Sequence, residues 1–239
     1  MRLEAIVFDY GLTLVSFSYP AAALLEVMDE IRPWLGPRPP SAAWLLENVL
    51  VPLEDDLKEF SEAAKRVQQS LEEIDYLDLY DRAWRRAGLT LARDVQYKIL
   101  DLEQQCWDRS VEVAPGAFET LAALRSRGIL TGIASNAPFP TEMMRRQLAH
   151  TGLDSQMDGI VFSSEIGWRK PATQLYAAIL DQLGVQAGAA LYVGDRVVED
   201  HDGPLRAGMR AVICTQLTRS GPPPGIPTIS HLTELAEML

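Results

Sequence analysis

One strand-like run at the start of this chain stands apart from every other run of its kind, and that separation limits the topologies open to it. Ala5 to Phe8 suits a buried strand and runs straight into Asp9, and Gly11 then permits the chain to turn away. From Ala21 to Asp108 there are few β-branched runs, and apolar residues recur at helical spacing over Ala23 to Ile31, Ala42 to Val49, Leu53 to Ile74, Tyr76 to Ala87 and Ala92 to Trp107. Pro33, Pro37, Pro39 and Pro40 punctuate this block, Gly88 ends one of its helices, and Pro115-Gly116 closes it. Trp44, Tyr76, Tyr80, Trp84 and Trp107 fall at helix-compatible spacing and read as packing.

Beyond Pro115 helices and strands alternate. Strands are expected at Ile129 to Ala134, Ile160 to Phe162, Ala190 to Val193 and Arg210 to Cys214. Helices are expected over Ala117 to Arg127, Thr141 to His150, Thr173 to Leu183 and Gly203 to Ala207, with a short last strand and a helix from Leu232 to Met238 behind them. Strands separated by single helices imply right-handed crossovers and a mostly parallel sheet in an α/β core. The first strand precedes the helical block and its sheet partners follow it. The block is therefore an insertion that leaves the core at about Val15 and returns at about Pro115.

A chain of 239 residues with 47% hydrophobic composition can bury a sizeable core. Its net charge of −11 argues against binding a phosphate backbone, which needs clustered Lys and Arg. Glu54-Asp55-Asp56 and Glu72-Glu73 read as solvated surface. No apolar run approaches the roughly 18 residues of a membrane span, and no export signal is evident, so no membrane partner and a cytoplasmic location are expected. Cys106 and Cys214 lie far apart without metal-ligand spacing and read as reduced structural thiols.

Four strand ends finish in polar residues. The first carries Asp9, the second Ser135-Asn136, and the third leads to Lys170-Pro171; the fourth ends in Gly194-Asp195, with Glu199, Asp200 and Asp202 close behind. In a parallel sheet all four reach the same edge, where ligands bind in such folds. Asp9, Asp195 and Asp200 offer the hard oxygen ligands that Mg²⁺ accepts. Ser135, nearby backbone N–H groups and Lys170 are suited to hold phosphate oxygens. A phosphate fixed there presents phosphorus to Asp9, giving an aspartyl-phosphate that water hydrolyses in a second step.

Asp9-x-Gly11-x-Thr13, Ser135-Asn136, Lys170-Pro171 and Gly194-Asp195-x4-Asp200 resemble the four ordered motifs of the haloacid dehalogenase-like hydrolase superfamily, in its phosphatase-like branch with a helical cap. The resemblance implies a Rossmann-like catalytic core over residues 1–15 and 113–239 and an all-helical cap over 16–112. It implies Asp9 as nucleophile, Ser135 and Lys170 as stabilisers of phosphate and intermediate, Thr13 as the loop threonine and Asn136 as part of the second motif. It further implies a Mg²⁺ site of Asp9, the Gly11 carbonyl, Asp195 and Asp200. The expected substrate is a small phosphorylated metabolite, handled by a monomer or homodimer.

One position departs from the pattern. Phosphatases of the superfamily place a second Asp where this chain has Gly11, as general acid and base, and the family's glycine is here Leu12. The Gly11 carbonyl remains available to a metal, but the proton donor is gone, and such assistance is worth about 10²–10⁴-fold. Hydrolysis is therefore expected to be slow or confined to good leaving groups; the alternative is a member that binds phosphate ligands with little turnover. Tyr10, Glu165, His201, Glu54 and Asp55 are the residues to check as replacements. Two other branches lack this acid. Dehalogenases also lack the Gly-Asp metal motif present here, and phosphonatases use a cap lysine, for which Lys58 and Lys65 are the candidates.

Overall fold

A computed structural model describes residues 2–64, 71–218 and 221–238. Its strands are β1 (Ala5–Phe8), β2 (Val15–Phe17), β3 (Val111–Val113), β4 (Leu130–Ser135), β5 (Gly159–Phe162), β6 (Ala190–Gly194), β7 (Arg210–Cys214) and β8 (Thr228–Ile229). Six of them form one sheet in the order β5-β4-β1-β6-β7-β8, and every pair in it is parallel. The α/β, Rossmann-like architecture read from the sequence is present. β1 lies in the middle, paired with β4 on one side and β6 on the other, because a strand of four fully buried apolar residues is stable only with neighbours on both edges and layers on both faces.

The chain divides into two compact units. One comprises Met1–Phe17, Leu71–Glu73 and Val111–Leu239, and the other Ser18–Ser70 and Ile74–Ser110. In the first, the period of two along each strand sorts side chains onto two cores. Ile6, Phe8, Ile133, Val193 and Val212 share a cluster with Leu121 and Leu148 on one face. Ala5, Val7, Ala134 and Tyr192 share the other with Leu175, Tyr176 and Ile179. Each fully buried aliphatic or aromatic side chain contributes about 1.5–3 kcal/mol.

The second unit is built from helices Ala21–Glu30, Ala42–Leu45, Val51–Ala64, Tyr76–Arg86 and Arg93–Asp108, with a π-helical stretch at Leu46–Leu50. Leu24, Met28, Leu45, Val49, Tyr80, Trp84 and Ile99 are buried within it. Two of these helix starts are capped by side chains: Ser41 Oγ accepts from Trp44 N at 3.2 Å, and Asp75 Oδ1 from Leu77 N at 2.9 Å. The packing expected of the aromatics holds for Tyr76, which stacks on Tyr80, and for Trp84, which Tyr80 meets edge-on, but not for Trp44, which is exposed.

Three sequence expectations about the backbone are corrected, and a fourth about burial, since Glu73, read as solvated surface, has a side chain only 2% exposed. The helix read over Leu53 to Ile74 starts at Val51 and is described to Ala64, and residues 65–70, Lys65 among them, lie outside the described residues. Leu71–Glu73 is extended, with Glu73 N donating to Gly167 O and Arg169 N to Leu71 O, each at 2.9 Å. Backbone pairing to a distant segment overrides local helix propensity there. Secondly, β2 and β3 form an antiparallel ribbon, Phe17 opposite Val111, where the sequence suggested no strand. Thirdly, the sharp turn after Asp9 is made by Leu12, at φ 59, and not by Gly11. Both cysteines are free and buried, and among the described residues no helix is long and apolar enough to cross a membrane.

Candidate functional site

β1 ends at Phe8, which lies level with Ile133 of β4 and Val193 of β6, so the residues following these three strands emerge together. Because β1 has neighbours on both sides from later chain segments, this edge is a topological switch point. Asp9 is buried there, its N–H donating to Val193 O at 2.8 Å, and Ser135 Oγ donates to Asp9 Oδ1 at 2.7 Å.

Lys170 reaches the same carboxylate from the segment after β5. Its Nζ lies 2.8 Å from Asp9 Oδ1, 2.7 Å from Asp200 Oδ1 and 3.0 Å from the Tyr192 hydroxyl. Three acceptors match the three donors of an ammonium. Burial alone would lower the Lys170 pKa, but Asp200 and Asp9 outweigh it and hold it above the usual lysine value. Asn136 does not join this cluster through its side chain. Its Oδ1 accepts from Lys170 N at 2.7 Å and its Nδ2 donates to Lys170 O at 3.3 Å, so it clasps the peptide of the lysine. Tyr192 was absent from the sequence reading, since a tyrosine inside a strand looks like core; its hydroxyl donates to Ala134 O at 2.5 Å and faces Lys170.

Asp9, Asp195 and Asp200 each offer a carboxylate oxygen within 4.8 Å of the others. Asp200 is fully buried, and its Oδ2 accepts from Asp195 N and Arg196 N at 3.0 and 2.9 Å. Gly194 allows this approach, because a Cβ there would run into the Asp200 carboxyl group. Burial, then the charges of Asp9 and Asp200, push Asp195 up to about 7. Burial pushes Asp200 up to about 6, with Lys170 opposing and Asp9 adding to the rise. Three carboxylates facing one ammonium leave negative charge in excess, and Asp195 Oδ1 is buried without a hydrogen-bond partner. A donor set of hard oxygens with an unsatisfied buried lone pair fits Mg²⁺.

The loop after Asp9 holds the remaining first-motif residues. Gly11 is half-buried, and a Cβ on it would meet the Phe17 ring at 3.2 Å. Thr13 is fully buried, with Oγ1 unpartnered. The residues considered as replacement acids are engaged elsewhere. Tyr10 is buried in the apolar cluster edge-on to Phe17, and Glu165 caps Phe162 N at 2.8 Å while pairing with Arg145 at 2.6 Å. His201 Nδ1 lies 2.8 Å from Asp202 Oδ1. In the helical unit, Glu54 is hydrogen-bonded to Tyr19, and Asp55 and Lys58 form an exposed pair at 3.2 Å.

Comparison with known proteins gives concordant results. A family model described as haloacid dehalogenase-like hydrolase matches residues 55–214. A glyceraldehyde 3-phosphate phosphatase of Methanothermobacter thermautotrophicus is 30% identical over 99 residues, covering 41% of this chain and 43% of that protein. A phosphoglycolate phosphatase of Rhodospirillum rubrum is 40% identical over 83 residues, covering 35% of this chain and 34% of its own length. The chain thus spans less than half the length of these two relatives. A 2-haloacid dehalogenase from Pseudomonas syringae superposes with a TM-score of 0.69 at 22% identity, covering 99% of this chain and 97% of that one, which establishes likeness of fold alone.

Proposed function

Because this chain belongs to the haloacid dehalogenase-like hydrolase family, we propose that it hydrolyses small phosphorylated metabolites, with Asp9 as nucleophile and the helical unit as its cap. The observation that carries the reading is the placing of one buried carboxylate, Asp9, against both Ser135 and Lys170 beside an unsatisfied Asp195 oxygen. Asp9 attacks phosphorus, the bond from phosphorus to the leaving oxygen breaks, and an aspartyl-phosphate forms. Lys170 and Ser135 turn from the free carboxylate to the phosphoryl oxygens and offset the charge that develops on them. Thr13 lies fully buried in the loop that follows Asp9, with its Oγ1 unpartnered. Asn136 keeps Lys170 in place through its peptide. Asp9, the Gly11 carbonyl and Asp195 would hold Mg²⁺, with Asp200 beside them. A bound Mg²⁺ supplies the positive charge that lets an anionic phosphate approach a carboxylate. Water then cleaves the acyl phosphate.

Gly11 supplies no proton to the leaving group, and Glu165 and His201 are paired with Arg145 and Asp202, which favours acyl or aryl phosphates over alkyl esters. The same observation supports a second reading, a phosphate-ligand binder with little turnover. Relatives named as phosphatases favour the enzyme over a dehalogenase.

Asp9→Asn is expected to abolish hydrolysis of para-nitrophenyl phosphate in Mg²⁺, and wild-type activity in that variant refutes the proposal. Gly11→Asp separates the two readings. It is expected to raise the rate on an alkyl phosphate about 10²-fold, and no change would mean that proton donation does not limit the reaction.

A further inference from the structure

Lys170 is preceded in the chain by a second buried cation. Arg169 is 6% exposed, and its Nη1 lies 3.7 Å from Glu73 Oε1 in a pair whose side chains are 8% and 2% exposed. Glu73 belongs to the short extended segment Leu71–Glu73, which packs with the sheet unit although the residues on either side of it belong to the helical one. That segment lies antiparallel to Gly167–Arg169. Glu73 N donates to Gly167 O, Arg169 N donates to Leu71 O, and Glu72 bridges Trp168 between them. On the other side, Asn136 clasps the peptide of Lys170. The backbone carrying the lysine is thus held from two directions.

We propose that Glu73 is a positioning residue for Lys170, acting by compensating the buried Arg169 guanidinium and so locking Leu71–Glu73 onto the segment that leads to the lysine. A buried charge stripped of its partner is far costlier than one never placed there. Burial depresses the Arg169 pKa, while the negative charges of Glu73 and Glu199 support its charged form. Glu199 immediately precedes Asp200. With Glu73 neutralised, the guanidinium competes with Arg196, which lies 3.6 Å from Glu199, for that carboxylate, and the residues next to Lys170 and next to Asp200 are disturbed together. The contacts of 2.8 and 2.7 Å that Nζ makes to Asp9 and Asp200 depend on both.

Pulsed acetylation with acetic anhydride, read by mass spectrometry, reports on Lys170 without reference to turnover. In the wild type Lys170 is expected to be labelled far more slowly than Lys58 and Lys98, whose side chains are 71% and 66% exposed. Glu73→Gln is expected to speed labelling of Lys170 several-fold and leave Lys58 and Lys98 unchanged. A second arm rests on the phosphatase reading: kcat on para-nitrophenyl phosphate falls about tenfold with KM unchanged, as for misplacement of a catalytic group. Wild-type protection of Lys170 in Glu73→Gln overturns the proposal, as does an equal speeding of thiol labelling at the buried Cys214, which means that Glu73 serves stability alone. If the wild type hydrolyses nothing but Glu73→Gln still exposes Lys170, the phosphatase reading fails and this inference stands. Should Glu73→Gln not fold, the double variant E73M/R169M, free of both buried charges, carries the test. Protection of Lys170 in it supports the compensation argument, and exposure overturns it.

Discussion

In the sheet unit Asp9 and Asp200 are buried against a lysine ammonium at 2.8 and 2.7 Å, whereas in the helical unit Glu103 is buried against the Tyr80 hydroxyl at 2.6 Å. All three carboxyl groups have left water, and the two units compensate that loss differently. At the sheet edge the Lys170 ammonium opposes the rise that burial gives Asp200, which reaches about 6. A hydroxyl serves a neutral acid as well as an anion. Burial, with Glu54 adding and Tyr80 opposing, pushes Glu103 up to about 8. The buried acid that faces a cation thus stays the more acidic, and the one that faces a hydroxyl the less acidic.

Removing the ammonium is expected to have the largest effect. Lys170→Met leaves Asp9 and Asp200 buried without their cation, and urea denaturation in metal-free buffer is expected to show a loss of about 3–5 kcal/mol. A loss near zero would mean that the cation does not support the fold and would erase the contrast between the units.

Next comes pH. The folded-state pKa of Glu103 lies at about 8, above the ordinary value of 4.5, so the folded state favours its neutral form. The contribution of this group to stability is full below pH 4.5, declines as pH rises towards 8, and stays lost above it. At about 1.4 kcal/mol per pKa unit this amounts to a few kcal/mol. Glu103→Gln is expected to flatten that decline and to be the more stable protein at pH 8, as read from denaturation midpoints across a pH series. An unchanged slope would place the charge of Glu103 elsewhere than in the buried cluster.

Tyr80→Phe sharpens the comparison. Loss of the hydroxyl is expected to cost about 1 kcal/mol and to move the declining limb to higher pH, because Tyr80 opposes the rise in the Glu103 pKa. The smallest expected effect lies in the loop beside Asp9. Leu12 occupies the left-handed region at φ 59, where a side chain costs about 1–2 kcal/mol. Leu12→Gly relieves that cost and loses part of it to the greater freedom of the unfolded chain, for a net gain of about 0.5–1 kcal/mol in thermal unfolding.

The parallel sheet was legible because its strands are short apolar runs separated by single helices, a pattern that few folds share. Asp9, Ser135, Asp195 and Asp200 were legible as candidates because each stands at or just beyond a strand end, where polar residues interrupt an apolar run. What escaped was set by pairing between distant segments. Leu71–Glu73 looks helical locally, and only Gly167–Arg169, nearly a hundred residues on, draws it into an extended form. Val15–Phe17 and Val111–Val113 are too short to announce themselves as strands, and each exists because the other does. Gly11 attracted the turn because glycine tolerates any backbone, yet the fold places the left-handed residue one step later, at Leu12, where a leucine bears it.

The ribbon of β2 and β3 has a consequence for how such a protein can change over generations. Phe17 pairs with Val111, so the chain departs for the helical unit and returns from it at neighbouring points. Closing a loop between such points costs only about 0.6 kcal/mol more for each doubling of its length. What lies between can therefore be lengthened, shortened or exchanged wholesale at little entropic penalty to the sheet. Selection is free to try new insertions between the same two points, provided that each newcomer brings its own hydrophobic interior and, if Glu73 acts as proposed, a carboxylate for Arg169.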